Sequence, residues 1–65
     1  MREMIYKFPR NSTVKHKNGT KYRIVDYCKL ESNLLDCYAY RGDEGQIWIR
    51  SVEEMEDGRF ELIPK

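Results

Sequence analysis

Trp48 and Arg50 stand two apart in the run Gln46-Ile47-Trp48-Ile49-Arg50, the spacing that puts two side chains on one face of a strand. Their chemistry is that of binding. An indole stacks on a base or an apolar surface, and a guanidinium holds a phosphate or carboxylate through paired hydrogen bonds. Tyr38 and Tyr40 fall on the preceding strand, across the turn Gly42-Asp43-Glu44-Gly45, and are expected to widen that face into an aromatic platform. His16 and Lys15, with Lys17 and Arg23, could add anion contacts from a basic part of the chain. A purely structural alternative stays open, in which Trp48 covers the end of the domain and Arg50 stacks on a tyrosine.

Catalysis is poorly supplied. His16 is the single histidine, and as a general base it would need a nucleophile such as Cys28 or Cys37 beside it. Both cysteines fall on strand faces read here as core. No C-x-x-C, H-x-x-x-H or acidic ligand spacing points to a metal, and Asp43-Glu44 between two glycines reads as turn chemistry. The phosphate-loop pattern is absent as well. The expectation is a protein that is not an enzyme and uses no cofactor.

The elements that position these residues are short. Ser12 to Lys17, then Asn18-Gly19, then Lys21 to Cys28 reads as strand, type I′ turn and strand. In the second strand Tyr22, Ile24 and Cys28 share one face, and Val25 and Tyr27 the other. A third strand runs through Leu34 to Tyr40 and a fourth through Gln46 to Arg50, with Ile47 and Ile49 expected on the core side. Gly42 and Gly45 are both expected at positive φ in the turn between them. Ser51 followed by Glu54 is a capping-box pattern, so one helical turn is predicted after the fourth strand. Arg59 to Ile63 forms the last strand before Pro64 stops it.

Five short strands with one helical turn before the last describe an all-β, SH3-like barrel over residues 11–65, with residues 1–10 as an N-terminal arm or added strand. Within that arm Met4, Ile5, Tyr6 and Phe8 are apolar enough to pack or to meet a second subunit. An OB-fold is the second candidate, although it wants a longer chain and a full helix. At 65 residues the chain sits near the size at which a core alone sustains a fold, since such domains bury only about 60% of their unfolded surface.

Charge is divided along the chain. Residues 1–30 carry eight Lys/Arg against Glu3 and Asp26, and residues 31–65 carry four against nine Asp/Glu, so the halves are +6 and −5. Cross-strand ion pairing is one consequence; a basic surface for an anionic ligand, or head-to-tail self-association, is the other. Coating of duplex DNA is disfavoured, because the acidic half repels phosphate. The chain has no secretory apolar run near its start and no stretch long enough to span a membrane, which sets the expectation of reduced thiols, a cytoplasmic location and no membrane partner.

The series Val14 to Val25, then Glu31, Tyr40 to Arg50 and Asp57-Gly58-Arg59-Phe60-Glu61 resembles a family of small phage, prophage and bacterial proteins. Their pattern reads Y-x-H-x-K-x-G-x-x-Y-x-V, a later Y-R-G with W-V-R-P, and a closing D-G-R-F-E. Here Ser51 replaces the usual Pro and Val14 an aromatic residue. The resemblance implies a small barrel and a mobile-element setting, with the host cytoplasm as location, and it carries no activity. The resulting expectation is an accessory protein that sequesters a host factor, such as a nucleotide immune signal, as a homo-oligomer with ligand at the subunit junction. A host defence protein is the other partner considered. The competing expectation is an SH3-like adaptor that grips a protein, a peptide or single-stranded nucleic acid.

Overall fold

The computed structural model describes residues 6–64. In chain order it contains β1 (Thr13–His16), β2 (Lys21–Lys29), β3 (Asp36–Arg41), β4 (Ile47–Ser51), α1 (Val52–Met55) and β5 (Phe60–Ile63). All five strands join one antiparallel sheet in the order β4-β3-β2-β1-β5, so the predicted all-β architecture with a helical turn before the last strand is present. β4 and β5 are its edges, and no ladder joins them among the described residues. The sheet instead curls until side chains from its two ends meet. Phe60 of β5 lies 5.8 Å from the Tyr40 ring of β3, and the Arg50 guanidinium of β4 lies 5.9 Å from Phe60.

The concave side holds the core: Phe8, Val14, Ile24, Tyr38, Tyr40, Met55 and Phe60. Burying each such side chain is worth roughly 1.5–3 kcal/mol, which makes every member matter in so small a domain. The segment before β1 is not a strand over residues 6–12, yet it is fastened to this core. Phe8 is buried, its N–H donates to the Tyr38 hydroxyl at 3.0 Å, and its carbonyl accepts from the Tyr27 hydroxyl at 2.9 Å. Tyr6 stacks on Tyr27 with centroids 3.8 Å apart. The arm positions expected at Met4 and Ile5 lie outside the described residues.

Local chemistry explains the elements. Ser51 takes the N-cap position of α1 and its hydroxyl accepts the Glu54 N–H at 3.2 Å, as the capping-box pattern predicts. The turn after β1 departs from expectation. Only Gly19 has positive φ, at 97°, whereas a type I′ turn needs it at Asn18 too, so the loop is longer than a two-residue hairpin connection. Gly42 also lacks positive φ; Gly45 carries it, at 87°. The reason for a glycine at 42 is close approach, since a Cβ there would lie 3.3 Å from the Tyr22 ring.

Two face assignments are corrected. A register shift between Ile24 and Asp26 inserts Val25 as a bulge, so Tyr22, Ile24 and Tyr27 point to the core side and Cys28 to the other. On β4 the alternation is inverted relative to expectation. Trp48 pairs with Tyr40 and Arg50 with Tyr38 on the core side, while Ile47 and Ile49 face outward, 47% and 50% exposed. Two tyrosine rings bury more apolar area than Ala39 between them, and that decides which face of β3 turns inward.

Candidate functional site

The convex face of the sheet gathers cations that the sequence spreads over three strands. The β1–β2 register sets Lys15 opposite Lys21, and the β2–β3 register sets Arg23 opposite Arg41. Like charges directly opposite one another destabilise a sheet. Among the described residues none of these four makes an ion pair; the four ion pairs found are Arg10–Asp26, Lys29–Asp36, Arg50–Glu54 and Arg59–Asp57.

A groove of about 530 Å³ lies over three of these cations, lined by Thr13, Lys21, Tyr22, Arg23, Arg41, Gly42 and Asp43. Thr13 is the register partner of Arg23 and adds a hydroxyl. Asp43, in the turn after β3, is the one carboxylate in the lining. Tyr22 also borders the groove, but its ring belongs to the core side, half-buried and held edge-on against Tyr40 at 5.2 Å. Three cations against one carboxylate, with a hydroxyl beside them, suit an anion. At about 530 Å³ the groove, open to solvent, falls within the size range of small-molecule sites.

The residues singled out in the sequence are placed differently. Tyr38 and Tyr40 share the expected face with Trp48 and Arg50, but both are buried in the core and offer no platform. Burial, reinforced by the hydrogen bond to Glu56, raises the Tyr38 phenol well above the ordinary tyrosine range. Arg50 is engaged within its own chain: its Nε donates to the Tyr40 hydroxyl at 3.2 Å, and this bond more than any other effect stabilises its charged form. Trp48 remains 48% exposed at the rim. His16 lies edge-on to Phe60 at 5.0 Å, and its Nδ1 accepts the Asn18 N–H at 3.1 Å, which is a structural role. Of that set Lys15 and Arg23 join the basic face, Arg23 within the groove and Lys15 with Glu61 as its neighbour on β5.

Lys21 and Arg41 were not singled out. The Val25 bulge hides the pairing of Arg41 with Arg23, because a continuous alternation through β2 gives no register for the β2–β3 pair. The hint available was the charge division between the two halves of the chain.

Among the described residues no cluster of three or more His, Cys, Asp or Glu is arranged to hold a metal ion, and no helix is long and apolar enough to cross a membrane. Fold and groove together define a small all-β domain with a basic concavity on its convex face. Comparison with protein-family models, curated proteins and solved structures found no match.

Proposed function

We propose that this protein is a non-enzymatic binding module that captures an anionic small molecule of the nucleotide class in the Lys21–Arg23–Arg41 groove. The observation that carries the reading is the pair of like-charged cross-strand contacts, Lys15 with Lys21 and Arg23 with Arg41, left without ion-pair partners among the described residues. Glu61 stands opposite Lys15 on β5, but Arg23 is flanked by Thr13 and Arg41, and Arg41 by Arg23 and Ile47, so no acid opposes either arginine in the ladders. A bound phosphate would relieve the repulsion.

Taken with the resemblance to phage and prophage proteins, capture of this kind acts by sequestration: the ligand is withdrawn from a host pathway without being altered. The adaptor reading has one observation in its favour, the half-exposed Trp48 beside Ile47 and Ile49. Buried Tyr38 and Tyr40 remove the rest of its platform.

A thermal-shift series at constant ionic strength separates the two. Pyrophosphate, ADP-ribose and cyclic dinucleotides are compared with chloride. Binding at a hundredfold excess over Kd stabilises by about 2.7 kcal/mol, and Arg41→Ala is expected to erase the shift. Equal melting temperatures in all these anions, or a shift that survives Arg41→Ala, contradicts the proposal.

A further inference from the structure

We infer that β4 is a self-association edge, pairing antiparallel with β4 of a second copy about a two-fold axis at Trp48. This does not rest on the ligand reading and concerns a different part of the molecule.

Main-chain geometry comes first. The Gly42 N–H donates to the Gln46 carbonyl at 3.4 Å, which marks Gly42 and Gln46 as a hydrogen-bonded pair at the start of the β3–β4 ladder. Antiparallel ladders alternate, so Trp48 and Arg50 exchange bonds with Tyr40 and Tyr38, and the N–H and C=O groups of Ile47 and Ile49 point away from β3. Among the described residues the side-chain hydrogen bond on that row is Gln46 Nε2 to the Ile47 carbonyl at 3.4 Å, a long bond that a partner strand would replace.

The two edges of the sheet are unlike. β5 carries Glu61 and is followed at once by Pro64, devices that blunt an edge. β4 has no Pro, its one charge, Arg50, is turned to the core side and bonded to the Tyr40 hydroxyl, and its register with β3 is unbroken. Its side chains are apolar on both faces, with Ile47, Trp48 and Ile49 between 47% and 50% exposed. An edge with open donors and acceptors and apolar flanks is a template for another strand.

The occupant is set by what the strand complements. Under two-fold symmetry a centre at Arg50 would stack Arg50 on its own copy, which repulsion disfavours. A centre at Trp48 sets Trp48 on Trp48, Ile47 on Ile49 and Ile49 on Ile47, and it aligns the outward main-chain groups of Ile47 with those of Ile49. Arg50 then meets Gln46, and no like charges oppose. Self-pairing therefore satisfies both the ladder and the side chains of the same few residues. The two sheets become one, with both basic grooves on its convex face and the strands bearing Arg41 three spacings apart, roughly 14 Å. So short a strand gives a contact below about 1,200 Å², in the range of weak, concentration-dependent association.

The test is amide hydrogen exchange by NMR at low-micromolar and near-millimolar protein, with mass measured by light scattering at the same concentrations. The Ile47 and Ile49 amides are expected to gain at least tenfold protection at high concentration as the mass doubles, while Trp48 and Arg50 stay protected throughout. Ile49→Pro deletes an outward N–H without touching the β3–β4 ladder and is expected to remain monomeric; Ile49→Lys serves if the proline variant does not fold. A monomer at every concentration overturns the inference. So does a dimer in which Ile47 and Ile49 still exchange freely, a dimer that persists in the folded variant, or protection that tracks a co-purified foreign peptide.

Discussion

Arg23 and Arg41 are register partners on β2 and β3, two guanidinium side chains directly opposite one another on the convex face. Such a pairing costs roughly 0.2–1 kcal/mol relative to a neutral one. Arg41→Gln is therefore expected to raise the melting temperature at low salt and to weaken the dependence of stability on salt. Thermal melts across an ionic-strength series check this. A variant that is less stable than the parent at low salt would show that Arg41 has a stabilising partner.

Tyr38 is the hub of the core's polar contacts, accepting from the Phe8 N–H and donating to the Glu56 carboxylate. Tyr38→Phe strands a buried N–H and is expected to cost about 1–3 kcal/mol. It should also change the alkaline limb of stability. The folded-state pKa of Tyr38 is raised, first by burial and then by Glu56, so above about pH 10 the unfolded chain loses this proton while the folded chain keeps it. Stability present below that pH is lost as pH rises further, and the phenylalanine variant should lose less of it. Urea denaturation at neutral and strongly alkaline pH measures the difference.

Cys28 and Cys37 are opposite one another on β2 and β3, and both thiols are free. Burial raises both above the ordinary thiol range, so little thiolate is present at neutral pH. Alkylation of the native protein is expected to be slow and to become fast in denaturant. Rapid labelling of either cysteine under native conditions would contradict this.

Leu34 adopts φ 58° in the β2–β3 connection while two-thirds of its side chain is exposed. A leucine in the left-handed region is strained by roughly 1–2 kcal/mol, with little burial in return. Leu34→Gly is expected to be neutral or stabilising, a rare outcome for removing a leucine. Equilibrium denaturation reports it, and a loss above about 1 kcal/mol would mean that Leu34 packs more than its exposure indicates.

The sequence was most readable where local chemistry decides structure. Ser51 and Glu54 announce the capped turn of α1, and the spacing of apolar residues announces five strands. It was least readable where a single inserted residue changes parity. The Val25 bulge moves Tyr27 to the core and Cys28 away from it, and no local pattern marks it. On β3 and β4 the periodicity was clear but its sense was not, because Tyr38 and Tyr40 fit a core or a binding platform equally well by type. The segment around Phe8, which completes the core, decides between them. Once Tyr38 and Tyr40 turn inward, the candidate site moves from Trp48 and Arg50 to the opposite face.

The central claim is that anions of the nucleotide class bind over Lys21, Arg23 and Arg41. The most direct measurement is an NMR titration with ADP-ribose and with pyrophosphate, following backbone amides and arginine side chains. Perturbations are expected to concentrate at Thr13, Lys21, Arg23, Arg41 and Gly42, and to vanish in Arg23→Ala/Arg41→Ala. An unperturbed convex face at saturating ligand, or shifts centred on Trp48, would contradict the account.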